Sequence, residues 1–289
     1  MKFAAALAFA DPSQFLAVAR TADQCGWDAL ALSDHVFFPE TMNSAYPYVA
    51  TGKPFWEQAA PWPDVWVTIG ALAAVTTRLA FLTNVYVLPA RHPLHVAKAV
   101  STAAVLSDNR VILGIGIGWM REEFDVLGHD FSTRGQRADE AIVVLRTVWR
   151  GGMVEYHGQF YSFERLLMSP APTRPVPIWV GGESNPALRR AARLGDGFIS
   201  VLHSQAEIVA LVERLNALRA EYGRANAPFD FCVSCHDANT LDDIRRLQDA
   251  GVTTLLTVPW LLYGDDPTLL DSKRRGLERF GDDIIAKMR

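Results

Sequence analysis

The sequence predicts an α/β protein of the (β/α)8 barrel class, a TIM barrel with insertion loops at its C-terminal face. Two observations predict this class. Strand and helix patterns alternate along the chain, and the strands are continuous apolar runs, which is typical of parallel strands buried on both faces. Eight such runs in 289 residues match one domain of eight βα units, residues 1–289. A doubly wound sheet is the alternative. The predicted strands are Lys2–Phe9, Ala29–Leu32, Leu79–Val87, Val111–Ile117, Ile178–Val180, Phe198–Val201, Phe229–Ser234 and Val252–Val258.

Helical periodicity fills the intervals between these strands. Asp11 is the predicted N-cap of the first helix, with Pro12 at its first position and Gln14 closing a capping box, and Gly26 ends the helix. Residues 151–177 are a longer excursion, in which Tyr156–Tyr161 is typical of a structural hairpin. The other predicted helices cover 64–76, 92–106, 133–150, 185–195, 205–222, 240–250 and 269–287.

Composition and charge exclude several classes of partner and location. The chain is 49% hydrophobic and 21% charged, which is enough to fill a core and rules out a disordered protein. Its net charge of −4, with no basic run, argues against binding to nucleic acid or to an anionic membrane. No apolar run approaches the ~20 residues of a membrane span. Three cysteines cannot build a disulfide framework, so a cytoplasmic location is expected.

The first ten residues, MKFAAALAFA, have the apolar character of a short signal peptide. A signal peptide would normally carry more basic charge than the single Lys2, and a helix start follows at Asp11. We therefore interpret the apolar run as a buried first strand.

Residues 36–63, called the aromatic segment below, make an unusually long connection after the second strand. Many of its side chains are aromatic and few are charged, and five prolines interrupt it. Long connections at the carboxyl ends of barrel strands are where sites are built, and aromatic walls suit an apolar or planar ligand. The segment is expected to cover such a ligand. A dimer contact or a self-packed loop is the alternative.

Candidate chemistry lies where the second strand ends, at Ser33-Asp34-His35. Ionisable residues at this end of a barrel strand point into the opening of the barrel, and histidine is the side chain best suited to proton transfer near neutral pH. Asp34 could orient His35 or bind a ligand. A buried pair that fixes the following loop is the alternative.

Two glycine-rich strand ends are candidate ligand contacts. The run from Gly114 to Trp119 has the spacing GxGxGW, which is not the dinucleotide fingerprint. It predicts close approach of a ligand to Gly116, with Trp119 as an aromatic wall, or crowding inside the barrel. Gly181-Gly182 precede a helix and suit a phosphate, with Arg189, Arg190 and Arg193 on that helix as further positive charge. A tight turn with a solvated arginine face is the alternative.

Two metal-like patterns are rejected. The string from Cys232 to His236 matches CxxCH, but residues three apart on a strand face opposite sides, and zinc would need more ligands. His92 and His95 have i, i+3 spacing without an accompanying carboxylate cluster. No metal site is expected.

Taken together, these residues resemble the luciferase-like monooxygenase superfamily, and within it the branch of oxidoreductases that depend on coenzyme F420. The resemblance covers about residues 2–260, and the order and spacing of its motifs match together. It rests on Ser33–His35, Thr83–Val85, Pro89–Pro93, Ala97-Lys98, Asp108–Arg110, Leu113–Trp119, Glu122-Glu123, Pro177–Gly182 and Ala192–Gly197.

The resemblance implies a homodimeric barrel with the deazaflavin ring of F420 lying across its opening. It implies a non-proline cis peptide at Asn84-Val85 and assigns His35 as the acid/base residue. The sequence departs from the sugar-phosphate dehydrogenases of the family at Trp119, where those enzymes carry a catalytic carboxylate. The residues expected to contact the cofactor are Asp34, His35, Thr83, Asn84, Val85, Gly116 and Trp119 around the ring, and Gly181, Gly182 and Ser184 at the phosphate.

The expected reaction is transfer of a hydride between C5 of the deazaflavin and a carbon of a small substrate, with His35 exchanging the accompanying proton. The substrate is expected to be apolar or planar. Two alternatives remain. One is an FMN-dependent monooxygenase that uses reduced flavin and oxygen, and the other is a non-catalytic protein that binds flavin or F420.

Overall fold

The computed structural model describes every residue from Met1 to Arg289, and its eight main strands close into a parallel barrel. β1 pairs with both β2 and β8, and β3 pairs with β4, so each strand has two parallel neighbours. A doubly wound sheet would have two free edges, so the barrel prediction is confirmed and the alternative is wrong. The barrel strands are β1 (Lys2–Ala6), β2 (Ala29–Leu32), β3 (Ala80–Thr83), β4 (Val111–Gly116), β5 (Ile178–Gly181), β6 (Gly197–His203), β7 (Asp230–Cys235) and β8 (Thr254–Thr257).

Helices surround the barrel, and none of them combines the length and apolar character needed to cross a bilayer. The predicted helix 269–287 is not continuous, because a π-helical turn at Gly281–Ile285 interrupts it. The α-helices are α1 (Phe15–Gln24), α2 (Val65–Ala73), α3 (Pro93–Leu106), α4 (Arg121–Val126), α5 (Arg134–Trp149), α6 (Asn185–Leu194), α7 (Gln205–Glu221), α8 (Leu241–Asp249), α9 (Pro259–Leu262), α10 (Leu270–Phe280) and α11 (Ala286–Met288).

The first strand is shorter than predicted. β1 ends at Ala6 rather than at Phe9, and Phe9 adopts a left-handed conformation with φ of 62°. This turn directs the Phe9 ring onto three rings of the aromatic segment, Phe55, Trp56 and Trp62. Apolar composition alone could not distinguish this turn from a longer strand.

The start of the first helix differs in one contact. Asp11 caps a 3-10 turn at Pro12–Gln14 by accepting a hydrogen bond from the Ser13 amide, as an N-cap residue does. Gln14 does not close a capping box. Its side-chain amide donates to the Thr268 carbonyl and accepts from Lys273, and this contact connects the first helical turn to α10.

The third strand is interrupted, because the peptide bond between Asn84 and Val85 is cis. The predicted run 79–87 therefore divides into β3 and a two-residue strand, Tyr86–Val87, which pairs with the end of β4. The cis peptide bond implied by the family resemblance is confirmed.

The core has two main parts, one on each side of the barrel wall, and a third cluster of only three residues, Val87, Ala90 and Phe124. The larger contains 55 buried residues between the strands and the helices. The smaller lies inside the barrel, where the indole of Trp179 fills the space left by the small alanines of β1 and β2. Outside the barrel, a hairpin of Met153–His157 and Ser162–Leu167 confirms the predicted excursion.

Candidate functional site

The predicted site residues meet at one end of the barrel, called the mouth below, where the strands end at their carboxyl sides. His35 follows β2, and the cis peptide bond at Asn84-Val85 follows β3. The Ser33 hydroxyl donates to the Asn84 carbonyl at 3.0 Å, which joins the ends of these two strands. The side chain of Thr83 is turned inward instead, and its hydroxyl donates to the Gly114 carbonyl at 2.7 Å.

His35 is held by a buried carboxylate. Its Nδ1 lies 3.0 Å from Oε2 of Glu123, and the two side chains are 11% and 2% exposed. The other carboxylate oxygen, Oε1, accepts from the backbone amide of Val36 at 2.7 Å. Glu123 belongs to the first turn of α4, where the positive end of the helix favours a negative charge. The arrangement fixes one ring nitrogen of His35 and leaves Nε2 without a hydrogen bond.

Asp34 forms a buried ion pair with Arg91 beneath the mouth. Its two carboxylate oxygens accept from Nη1 and Nη2 of Arg91 at 2.5 and 2.7 Å, and the Val87 amide donates to the same carboxylate at 2.9 Å. Burial raises the pKa of the Asp34 carboxyl, while Arg91 and the Val87 amide oppose that rise. The pair therefore fixes the chain just after the cis peptide bond.

Val85 lies between two glycines at the mouth. A Cβ at Gly116 would be 2.7 Å from Cγ2 of Val85, and one at Gly181 would be 2.9 Å from Cγ1. Real side chains do not approach that closely, so the ends of β4 and β5 must be bare backbone here. The predicted contacts on β3, β4 and β5 therefore lie side by side.

The predicted phosphate loop leads into α6. Gly182 has φ of 101°, a left-handed conformation that favours glycine, and the Ser184 side chain caps α6 at the amide of Ala187. Glu183 lies between them and pairs with His203 at the end of β6, where the Val201 amide also donates to it. The loop thus brings a carboxylate to this side of the mouth.

The three arginines predicted to add charge there do not do so. Arg190 and Arg193 both pair with Asp139 on α5, and Arg189 pairs with Glu221 on α7. Helices next to α6 supply these carboxylates, so the prediction is wrong. The arginines hold neighbouring helices together.

The aromatic segment packs directly onto His35. The imidazole is edge-on to Trp62 at a centroid distance of 4.8 Å and to Trp119 at 5.8 Å, and Trp56 lies 6.2 Å away. The space between these rings has no room for a water molecule. Its lining residues are His35, Phe37, Phe38, Met42, Trp56, Trp62, Trp119 and Met120, of which none is a cation.

A second carboxylate of α4 holds the aromatic segment in place. Glu122 accepts from the amides of Asn43 and Ser44 at 2.7 and 3.1 Å and from the Ser44 hydroxyl at 2.7 Å. Burial raises the pKa of Glu122, but these hydrogen bonds outweigh it and lower the pKa overall. Glu123 thus fixes the start of the aromatic segment at Val36, and the adjacent Glu122 fixes the segment at Asn43 and Ser44.

Sequence reasoning missed Glu123 and Arg91 as members of the site. Both lie within segments that carried the family resemblance, but neither was assigned a role. Nothing local pairs them with their partners, because His35 and Glu123 are 88 residues apart and Asp34 and Arg91 are 57 apart. Only closure of the barrel brings them together.

Solved structures with the same architecture include a monooxygenase of Streptomyces bottropensis, RslO1. Its TM-score is 0.78 at 17% identity, with both chains covered completely. The coenzyme F420-dependent tetrahydromethanopterin reductase of Methanopyrus kandleri gives a TM-score of 0.75 at 15% identity, covering 100% of this chain and 99% of that one. At these identities the likeness shows the fold alone.

Sequence relatives are closer. An uncharacterised protein of Mycobacterium tuberculosis H37Rv is 38% identical over 291 residues, covering 100% of both chains. The F420-dependent glucose-6-phosphate dehydrogenase of Beutenbergia cavernae is 32% identical over 242 residues, covering 82% of this chain and 67% of the dehydrogenase. The family match given below and this relative support an oxidoreductase of the flavin- or F420-dependent class.

The family follows from a direct match. The model of the family described as luciferase-like monooxygenase matches residues 3–254. The chain belongs to the luciferase-like monooxygenase family.

Proposed function

We propose that the chain is an F420-dependent oxidoreductase that transfers a hydride between the deazaflavin and a small uncharged substrate. The observation that carries the proposal is that His35, at the end of β2, is a buried side chain whose Nδ1 is held by Glu123 and whose ring packs against aromatic side chains. The name of the Beutenbergia relative supports F420 as the cofactor.

The residues at the mouth suit a flat ring in one respect and resist it in another. The absence of a Cβ at Gly116 and Gly181 makes room for the side chain of Val85, so the surface proposed to meet a planar group there is Val85 itself. The space beside His35, however, is closed by the rings of Trp56, Trp62 and Trp119. Binding of the ring therefore requires the aromatic segment to move away from His35.

When bound, the deazaflavin donates or accepts the hydride at C5. His35 gives or takes the accompanying proton at Nε2, the nitrogen that Glu123 does not occupy. The aromatic segment excludes water from the reacting atoms. We propose that the phosphate of the cofactor is contacted by Gly181, Gly182 and Ser184. The proposed neighbours of its ring remain Asp34, His35, Thr83, Asn84, Val85, Gly116 and Trp119.

We place the substrate among small apolar or planar molecules rather than sugar phosphates. None of the eight residues around the closed space is a lysine or arginine, so nothing there neutralises a phosphate dianion. We also propose that the enzyme acts as a cytoplasmic homodimer. Its three cysteines are free, which suits a reducing compartment, and sedimentation velocity would test the dimer.

The decisive experiment is a paired titration of the purified chain with F420 and with FMN, followed by absorbance and fluorescence. We expect saturable binding of F420 and none of FMN. The reduction of F420 would then be measured with uncharged alcohols and with glucose 6-phosphate. Binding of FMN alone would overturn the cofactor assignment and favour the monooxygenase alternative. Turnover of glucose 6-phosphate alone would overturn the substrate class.

A further inference from the structure

We infer that Glu123 is a positioning residue that fixes the tautomer of His35, with the ring proton on Nδ1 and the lone pair on Nε2. The catalytic use of that lone pair rests on the proposed function. The tautomer itself does not, because it follows from contacts within the chain.

The first step is the hydrogen-bond inventory of the Glu123 carboxylate. Oε1 accepts from the Val36 amide at 2.7 Å, and Oε2 lies 3.0 Å from Nδ1 of His35. An ionised carboxylate accepts hydrogen bonds and donates none. A neutral imidazole that faces it through Nδ1 must therefore carry its proton there, which leaves Nε2 unprotonated.

The second step concerns the charge of Glu123. Its residue surface is 1% exposed, so an unpaired negative charge would be costly. The Val36 amide and the amino-terminal turn of α4 present the positive ends of dipoles to it. These groups replace part of the hydration that the buried carboxylate lacks.

The third step concerns where the free nitrogen lies. Nε2 makes no hydrogen bond, and the rings closest to the imidazole are those of Trp62 and Trp119. Neither indole donates a hydrogen bond to Nε2. A proton that arrives at Nε2 gives an imidazolium whose charge the Glu123 carboxylate stabilises at 3.0 Å. The pair thus resembles a base with its orienting carboxylate.

The experiment reads the tautomer directly, by long-range ¹H–¹⁵N correlation of the imidazoles in the uniformly labelled full chain, recorded over a pH series that extends well above ~6.5, the ordinary pKa of histidine. The chain has seven histidines, and His35→Ala assigns the signal by its loss. We expect the Nδ1–H pattern for His35 in the wild type. An Nε2–H pattern there would overturn the inference without any variant.

The variant Glu123→Gln reverses the contact. Its amide oxygen can keep the Val36 bond while its NH₂ group faces Nδ1, so we expect His35 to switch to the Nε2–H tautomer. The matched control is Glu122→Gln, which alters the adjacent carboxylate that contacts Asn43 and Ser44 but not His35. It should keep the wild-type pattern. An unchanged tautomer in folded Glu123→Gln would contradict the proposal.

Turnover separates this inference from the proposed function. In the F420-loaded enzyme we expect Glu123→Gln to lower kcat by about 10²-fold or more while KM changes little, and to have no further effect in a His35→Ala background. A wild-type rate in a variant with the switched tautomer would overturn the positioning role. Failure of the wild type to bind F420 would overturn the proposed function and leave the tautomer result standing.

Discussion

Asp34 and Arg91 form a two-pronged ion pair across 57 residues of sequence, with donor–acceptor distances of 2.5 and 2.7 Å. The carboxylate is 4% exposed and the guanidinium 21%, so the two partners differ in their access to water. Arg91 also lies over the ring of Tyr86 at 4.4 Å from its centroid. The ion pair therefore holds Val87 through its amide and Tyr86 through its ring, close to the cis peptide bond.

This asymmetry predicts unequal effects of removing each partner. Arg91→Met leaves a buried carboxylate unpaired and should lower the free energy of unfolding by about 3–5 kcal/mol. Asp34→Asn should cost less, because Arg91 can turn toward water. In urea unfolding, the double variant should recover part of the loss of Arg91→Met. Equal losses in both single variants would contradict this account.

The pH dependence of Arg91→Met has a definite sign. Burial already raises the pKa of Asp34, and removal of Arg91 removes an opposing influence. A carboxyl whose folded pKa lies above its unfolded value loses stability as the pH rises. The deficit of Arg91→Met relative to wild type should therefore be smaller at about pH 4 than at about pH 8. A deficit that grows on acidification would contradict this.

His35→Ala tests the acid/base role. Since the proposed role of the side chain in the reaction is to move the proton, and it is only one of several residues proposed to contact the cofactor, turnover should fall by about 10²–10⁴-fold. The dissociation constant for F420, measured by fluorescence titration, should change by less than about threefold. His95→Ala, an exposed histidine on α3, is the control and should behave as wild type. Normal turnover in His35→Ala would remove the role.

Gly116→Ala should be destabilising because its Cβ would lie 2.7 Å from Val85 Cγ2. Overpacking of this kind costs about 1–3 kcal/mol, which urea unfolding would measure. Val85→Ala removes the clashing methyl, so the double variant should recover most of the loss. Gly70→Ala is the control. No atom lies within 4 Å of its Cβ, and in the middle of α2 it should stabilise by about 0.5–1 kcal/mol.

Ser44→Ala should loosen the aromatic segment. It removes the hydroxyl that donates to Glu122 at 2.7 Å and accepts from the Arg121 amide at 2.9 Å. We expect amide hydrogen exchange across residues 36–63 to accelerate by about tenfold, corresponding to about 1.4 kcal/mol of lost local stability. Thr51→Ala serves as a control in the same segment, because its hydroxyl only accepts one bond at 3.4 Å. Equal acceleration in both variants would argue against a fixing role for Ser44.

The lowered pKa of Asp23 predicts that the free energy of unfolding decreases in acid. Burial raises the pKa of Asp23, but bonds from the amides of Thr77, Arg78 and Leu79 outweigh it and lower the pKa. A depressed carboxyl pKa stabilises the fold above the unfolded value of ~3.9, and that stability is lost as the pH falls through the folded pKa.

The measurement compares wild type with Asp23→Asn by urea unfolding. The variant should lose about 1–3 kcal/mol at neutral pH, and the difference should shrink toward about pH 3. Asp249→Asn, an exposed carboxylate at the end of α8, should show no such trend. A difference independent of pH would show that the charge of Asp23 is not the cause.

The barrel was predictable because each of its strands is buried on both faces and therefore leaves an apolar run in the sequence. His35 was predictable as a candidate because it stands where such a run ends. The sequence could not predict α4, which has only six residues and whose N-cap residue, Met120, makes no capping hydrogen bond through its side chain. Without that helix, neither Glu122 nor Glu123 could be assigned a contact.

The prediction that the arginines of α6 add positive charge to the phosphate loop was wrong for a related reason. Their charge is visible in the sequence, but the carboxylates that neutralise them belong to α5 and α7. The turn at Phe9 also depends on tertiary contacts, because its left-handed conformation is accompanied by packing against Phe55, Trp56 and Trp62. Local propensity decides the elements of this protein, and long-range contacts decide which side chains meet.

The pairing of β1 with β8 determines when the barrel can close during synthesis. Lys2 is in register with Thr254, so one edge of the first strand has no partner until β8, which lies about 250 residues further along the chain, has been synthesised. Strands β2 to β5, which carry the proposed active site, are synthesised well before β8, at a stage when the barrel cannot yet close. During synthesis the edge of β1 that pairs with β8 is therefore exposed, and chaperones that bind nascent chains have the longest time to bind at that edge.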